Sequence, residues 1–289
     1  MVNFLFIVLQ YIIPQHLISR FIALLASSKN KTIKNSFISF FIKKYNINMK
    51  EALEENPYNY QSFNDFFTRE LKPEVRKSVE NSKSIVCPVD GKISQLGAIS
   101  SGKIFQAKGR NFNLLEFFGG EKDLQREFKD GDFSTIYLSP KDYHRVHMPF
   151  SGILRCMHYI PGDLFSVNPV TVNSVDNLFA RNERLFCIFD TKQGSMAVTL
   201  VGAMIVAGIK IKWAEINFKK NRIIQKWKYP KSGNGSVFLK KGEEMGRFML
   251  GSTVIICFPF KKISWGKDLA HNSSVRLGQE LATYQNLES

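Results

Sequence analysis

The bond between Gly251 and Ser252, just ahead of the apolar run Val254–Phe258, is the place in this chain best suited to attack by its own side chain. A serine hydroxyl that follows glycine meets an unhindered carbonyl, and glycine can hold the positive-φ or strained backbone such an attack requires. The hydroxyl still needs a base. Two histidines stand close together in Tyr143-His144-Arg145-Val146-His147-Met148-Pro149. A histidine base needs an orienting carboxylate, and Asp90 in Cys87-Pro88-Val89-Asp90-Gly91 is the candidate. Each of these residues also has a plainer reading. Gly-Ser-Thr taken alone suits a turn that opens a strand, and Asp-Gly after a short apolar run suits a hairpin turn. His144 and His147 are three apart, which on a strand aims them at opposite faces. Without a third histidine, a cysteine or a glutamate nearby this is a weak zinc signal, and no metal is expected.

The elements that must position these residues are of two kinds. From about Ser84 onward the chain is a series of short β-like runs broken by turns: Ile85–Val89, Lys92–Leu96, Phe133–Leu138, Ile153–Ile160, Leu185–Phe189, Met196–Ile216, Arg222–Tyr229, Ser236–Leu239 and Thr253–Phe260. Before it lie three apolar stretches, Phe4–Ile13 ended by Pro14, Leu17–Ala26, and Phe37–Ile42, that read as short amphipathic helices. Residues 51–75 turn acidic and carry Phe63, Phe66, Phe67 and Leu71 at helical spacing. The fold class is α+β, a mostly antiparallel β domain with N-terminal amphipathic helices. The division expected is a basic helical membrane-association region over 1–50 and a β-rich catalytic domain over 51–289.

Charge points to an anionic partner. The 289 residues hold 40 Lys and Arg against 25 Asp and Glu, a formal net charge of +15. Seven of the cations and none of the acids fall in residues 1–50, among many Phe, Ile and Leu. Basic charge mixed with large apolar side chains suits a bilayer surface better than a nucleic-acid backbone, and no nucleic-acid motif is present. None of the apolar stretches reaches the ~20 residues of a membrane span, and no signal peptide is recognisable. Cys87, Cys156, Cys187 and Cys257 are far apart and read as buried free thiols, in keeping with a reducing compartment.

Taken together, the segments around Asp90, His144–His147 and Ser252 resemble phosphatidylserine decarboxylase of the bacterial, proteobacterial type, from about Tyr11 to Gly278. Further stretches that carry the resemblance are Asn64-Asp65-Phe66-Phe67-Thr68-Arg69, Gly162-Asp163-Leu164-Phe165-Ser166-Val167-Asn168, Leu178-Phe179-Ala180-Arg181-Asn182-Glu183-Arg184 and Lys241-Gly242-Glu243-Glu244-Met245-Gly246-Arg247-Phe248. Val89, where the family often has alanine, is a small departure.

The resemblance implies a self-processing enzyme. Ser252 Oγ attacks the Gly251 carbonyl and turns the amide into an ester. β-Elimination then releases chain 1–251 and leaves a dehydroalanine, whose hydrolysis gives ammonia and a covalent pyruvoyl group. His147 takes the Ser252 proton, Asp90 fixes its tautomer and stabilises the imidazolium, and His144 is the acid at the decarboxylated carbon. The substrate phosphatidylserine forms a Schiff base with the pyruvoyl group, loses carbon dioxide and leaves as phosphatidylethanolamine. Phe165, Val167 and Met148 are candidates for an apolar pocket wall and Ser166 for a headgroup contact. Chains 1–251 and 252–289 would stay associated, on the cytoplasmic side of the cell membrane as a peripheral protein; the resemblance leaves room for a homodimer. Two other classes compete with this one. A serine hydrolase would keep Ser252 intact, and the Gly-x-Ser-x-Gly elbow is absent. A non-catalytic membrane-surface protein would have no use for Asp90, His144, His147 and Ser252 in this context.

Overall fold

The computed structural model describes residues 2–204, 208–216 and 223–285. Three helices come first: α1 Val2–Ile12, α2 Gln15–Ala26 and α3 Lys31–Tyr45. Pro14 cannot continue a helix, and α1 and α2 meet across it at 89°. Among the described residues no single helix is long and apolar enough to cross a membrane. α3 starts on Asn30, whose side chain accepts the Thr32 and Ile33 N–H groups, and stops on Asn46 in the left-handed conformation. The expected helical spacing over 51–75 yields one short helix, α4 Phe63–Phe67, capped by Ser62; Leu71 instead bridges to Ala52. Ala26, Ile38, Phe63, Phe66, Phe67 and Leu250 bury one another in a satellite core that ties these helices to the β domain.

The strands are β1 Ser84–Val86, β2 Gly91–Ala98, β3 Lys103–Ala107, β4 Arg110–Asn113, β5 Asp132–Leu138, β6 Arg145–His147, β7 Gly152–Ile160, β8 Arg184–Thr191, β9 Gly194–Val201, β10 Ile209–Ile211, β11 Gln225–Lys228, β12 Phe238–Leu239, β13 Glu244–Phe248, β14 Ser252–Phe258, β15 Ile263–Trp265, β16 Ser274–Val275 and β17 Glu280–Tyr284. Four short helices sit between them: α5 Leu114–Phe117, α6 Lys122–Phe128, α7 Pro169–Val172 and α8 Leu178–Arg181. The main sheet is antiparallel in the order β11-β7-β8-β9-β14-β5-β2-β16, with β12 also on β7. Two three-stranded sheets, β1-β17-β15 and β10-β13-β6, flank it, and β3-β4 form a separate hairpin.

β14 lies in the middle of the main sheet, between β9 and β5. Val254, Ile256 and Phe258 join the core on one face, and Ile255 and Cys257 join the core on the other. Both faces are covered, which is why the sequence there is continuously apolar rather than alternating. The four cysteines are buried and unpaired, and burial pushes their thiols up, Cys156 to about 11.

Two local expectations are corrected. Asp90-Gly91 does not turn a hairpin: β1 pairs with β17, whereas β2 pairs with β5 and β16. Gly91 is needed there for close approach, since a Cβ on it would lie 2.4 Å from the Tyr137 carbonyl oxygen. The long run Met196–Ile216 splits into β9 and β10, with 205–207 outside the described residues. Of the run Arg222–Tyr229, Arg222 lies outside them and β11 takes Gln225–Lys228.

Candidate active site

The Gly251–Ser252 bond sits at the corner between β13 and β14. Gly251 has φ +43°, in the left-handed region, and nothing stands within 4 Å of where a Cβ would be. Backbone conformation rather than crowding therefore calls for glycine here. The corner is pinned on both sides. Phe248 N–H donates to the His144 carbonyl at 3.0 Å, Met249 N–H to the Gly208 carbonyl at 3.0 Å, and Leu250 is buried beside Phe67. The Ser252 backbone opens β14 opposite Leu138; its side chain lies outside the described residues.

Strand β5 brings the other candidates to this corner. Tyr137 is paired with Lys92 on one side and Thr253 on the other, so Asp90 and Ser252 occupy the same end of three adjacent strands. Two strand spacings put their Cα atoms roughly 10 Å apart. His147 belongs to the same end, because its backbone N–H donates to the Pro88 carbonyl at 2.9 Å.

The ring of His147 is oriented by the backbone. Its Nδ1 lies 2.8 Å from the Gly242 carbonyl oxygen, which can only accept, so Nδ1 carries the proton. Nε2 is then the basic nitrogen, with the Tyr143 hydroxyl 3.3 Å away to donate to it. Burial lowers the pKa of His147, with the Gly242 carbonyl acting the other way, and the imidazole is neutral near pH 7. The direct bond expected from Asp90 to His147 is not made. Arg76 clamps the Asp90 carboxylate with Nε at 2.9 and 3.0 Å and Nη2 at 2.6 Å, and Leu277 N–H donates to Oδ1 at 2.9 Å. Arg76 also holds Glu51 at 2.8 Å. A guanidinium fork matches a carboxylate better than an imidazole edge does, and a backbone carbonyl was at hand for His147.

His144 has no exposed surface. Its ring lies flat on that of Phe67, and neither ring nitrogen is seated in a well-formed hydrogen bond. Burial first and the nearby Arg69 guanidinium second push its pKa down to about 3, against a weaker opposite pull from the Pro140 and Ser139 backbone. It is a neutral, fully buried imidazole.

A cleft of about 1070 Å³ opens beside this corner, lined among others by Asp90, Arg76, Tyr137, Ser139 and Tyr143 and by Val167, Pro169 and Val172. Val167 is thus a wall residue. Phe165 is buried in the core behind it, with its ring 4.9 Å from that of Tyr11, and Ser166 is half-buried with its N–H donated to Gln10. Met148 belongs to the main core. Arg76, Tyr143, the Gly242 carbonyl and the ring of Phe67 were not singled out from the sequence. Tyr143, Gly242 and Phe67 stand in the stretches Tyr143–Pro149, Lys241–Phe248 and Asn64–Arg69 without a role at the site, and Arg76 left no signal.

A protein-family model described as phosphatidylserine decarboxylase matches residues 63–283, and a second, described as PSD, matches residues 5–46. Curated relatives are similar along nearly the whole chain. The phosphatidylserine decarboxylase proenzyme of Vibrio cholerae serotype O1 is 51% identical over 275 residues, 95% of this chain and 96% of the relative. Proenzymes of the same name from Pseudomonas putida (strain W619) and Bordetella pertussis are each 50% identical over 278 residues, 96% of this chain and 97% and 94% of theirs. The match spans both the helical region and the β domain that carries Asp90, His144, His147 and Ser252, and the chain belongs to the phosphatidylserine decarboxylase family of enzymes, in its proteobacterial form.

Proposed function

We propose that this chain converts phosphatidylserine to phosphatidylethanolamine and carbon dioxide, with a pyruvoyl group that it makes from Ser252 by cutting the Gly251–Ser252 bond. The observation that carries the reading is the left-handed Gly251 at an open, pinned corner immediately before Ser252. The residues present suit the group. The position opens a strand held on both edges, and the His144 carbonyl pins the backbone four residues before it through Phe248 N–H.

In the first stage the chain acts on itself. His147 Nε2 takes the Ser252 hydroxyl proton while the Gly242 carbonyl holds the ring in the right tautomer. Asp90 is a positioning residue, fixed by Arg76 and Leu277 next to the Pro88 carbonyl that holds His147. The products stay together, because the segment after the cut contributes β14, β16 and β17, which are bonded to β5 and β9, to β2 and to β1.

In the second stage a pyruvoyl carbonyl at position 252 would supply an electron sink for the pair left on the substrate's α-carbon as carbon dioxide departs. His144 delivers the proton to that carbon. Its depressed pKa keeps it neutral. The proton it gives is therefore the N–H of a neutral imidazole. The Phe67 ring excludes water from one face of His144.

The substrate's two acyl chains require the cleft to meet a bilayer. Phe4, Ile12, Leu17, Phe21, Leu24 and Phe40 project from α1–α3 into solvent, and six of the seven cations of residues 1–50 are exposed as well, Lys34 being buried against the Tyr58 and Tyr60 carbonyls. Each cation near an anionic surface contributes roughly 1 kcal/mol, less at high salt. This supports a peripheral protein on the cytoplasmic face of the cell membrane. The test is conversion of phosphatidylserine in mixed micelles, followed by chromatography of phosphatidylethanolamine. Turnover by the wild type and none by Ser252→Ala is expected; equal turnover by both would sink the reading.

A further inference from the structure

The loop Gly162–Asn168, which contributes Val167 to the cleft, makes little use of strand pairing; its one bridge is between Asp163 and Asn182. Its successive amides are satisfied by three side-chain carboxamides. Gln15 Oε1 accepts the Leu164 N–H at 2.7 Å, Asn182 Oδ1 the Phe165 N–H at 3.1 Å, and Gln10 Oε1 the Ser166 N–H at 2.8 Å. Asn182 comes from the β domain, at the end of α8. Gln10 and Gln15 come from α1 and α2, one on each side of the 89° bend.

The same two side chains use their donors as well. Gln15 Nε2 donates to the Gln10 carbonyl at 2.6 Å, which locks the bend. Gln10 Nε2 donates to Thr171 Oγ1 at 3.1 Å, and that hydroxyl donates on to Asn168 Oδ1, the cap of α7. Pro169 and Val172 of α7 line the cleft together with Val167. His16 adds Nε2 to the Gly162 carbonyl at 3.1 Å, and the Arg181 guanidinium lies over the rings of both Tyr11 and Phe165. Gln10 and Gln15 are buried, whereas Phe4, Leu9, Ile12, Leu17, Phe21 and Leu24 on the same helices are exposed. A buried carboxamide in an apolar helix is costly unless every polar atom is paired, and here all four are.

We propose that Gln10 and Gln15 are positioning residues for decarboxylation: they transmit the placement of the membrane-facing α1–α2 pair to the Gly162–Asn168 loop and so set the cleft wall at Val167 and α7. The inference rests on the proposed activity, but it is read out independently of it by the loop amides. Removing either carboxamide leaves a loop N–H buried without an acceptor and frees the wall to move. The catalytic corner at Gly251–Ser252 is held by other contacts and is not touched.

The test uses the full-length protein with Gln10→Met and Gln15→Met, singly and together. Amide hydrogen exchange is followed at Leu164 and Ser166, and kinetics are measured on dihexanoyl phosphatidylserine below its micellar concentration. Self-cleavage is expected to run to completion, and binding to phosphatidylglycerol vesicles to be unchanged. Exchange at Leu164 and Ser166 should rise about tenfold, and KM should rise about tenfold in the double variant with kcat changed much less. Gln10→Glu keeps the acceptor for Ser166, and its exchange at that amide should stay near wild type; it also serves if the methionine variants accumulate poorly. Wild-type exchange and KM in the double variant would overturn the proposal. So would a defect on vesicles that vanishes on the soluble substrate, because the glutamines would then only anchor the helices. A wild type that does not decarboxylate phosphatidylserine would refute the activity instead, and the exchange data would still decide the positioning.

Discussion

The imidazole of His144 is stacked on the phenyl ring of Phe67, with centroids 4.0 Å apart and planes 23° from parallel. Phe67 ends α4 and shares its buried cluster with Leu250, two residues before the candidate nucleophile. One aromatic ring therefore links the helical region, the candidate acid and the cleavage corner. His144→Ala should leave self-cleavage intact and lower kcat about 10²–10⁴-fold, as for a lost general acid. Phe67→Leu should keep the cluster filled at a cost of about 1–2 kcal/mol while loosening the imidazole, with kcat down about tenfold. Steady-state kinetics and a urea melt on the same samples check both.

The hydrogen bond from His147 Nδ1 to the Gly242 carbonyl makes a prediction about Asp90. If the backbone sets the tautomer, Asp90→Asn should slow self-cleavage but not abolish it, whereas His147→Ala should abolish it. Asp90→Asn should also lower stability by about 2–3 kcal/mol, since a largely buried Arg76 keeps only Glu51 as a charged partner. A cleavage time course on refolded protein separates the two effects. Equal arrest in both variants would restore Asp90 to direct contact with the base.

Stability should fall as the solution is acidified. Burial depresses His144, His147 and His158 in the folded state, His144 to about 3, whereas an unfolded histidine titrates near 6.5. Between these values the unfolded chain binds more protons, so stability rises with pH through this window and is lost on the way down. Each fully shifted histidine costs about 1.4 kcal/mol per pH unit below 6.5. Denaturant midpoints at pH 7 and pH 5 measure the loss, and His144→Phe, which keeps the ring stack, should reduce it.

Membrane binding should follow the exposed faces of α1 and α2 rather than the folded core. Deleting residues 1–50 would also remove Ala26 and Ile38 from the satellite core, so surface substitutions are the cleaner probe. Replacing Phe4, Leu17 and Leu24, all strongly exposed, by serine should lower affinity for anionic vesicles at least tenfold with little change in melting temperature. Cosedimentation with phosphatidylglycerol vesicles reads the first and a thermal melt the second.

How much of this could be read from residue types depended on whether side chains or backbone did the work. The apolar run Thr253–Phe260 reads as a strand and Gly251 as able to take positive φ; β14 and the φ of +43° match both, while burial of β14 on both faces comes from the sheet around it. Asp90-Gly91 misled, because glycine can serve close approach as well as a turn, and here the Tyr137 carbonyl is what it avoids. The Gly242 carbonyl that orients His147 leaves no signature in residue type, since every residue carries one. Gln10 was visible as a lone polar residue in the apolar run Phe4–Ile13, but its partners lie more than 150 residues away, and only the tertiary fold supplies them.

The most direct test of the central claim is an intact mass spectrum of the purified protein under denaturing, reducing conditions. The account predicts two species from one gene: residues 1–251, and a 252–289 fragment lighter by one ammonia than the corresponding seryl peptide. Ser252→Ala should give a single full-length chain. A wild type that turns over phosphatidylserine as one uncut chain, or a Ser252→Ala variant that still yields the small fragment, would contradict it.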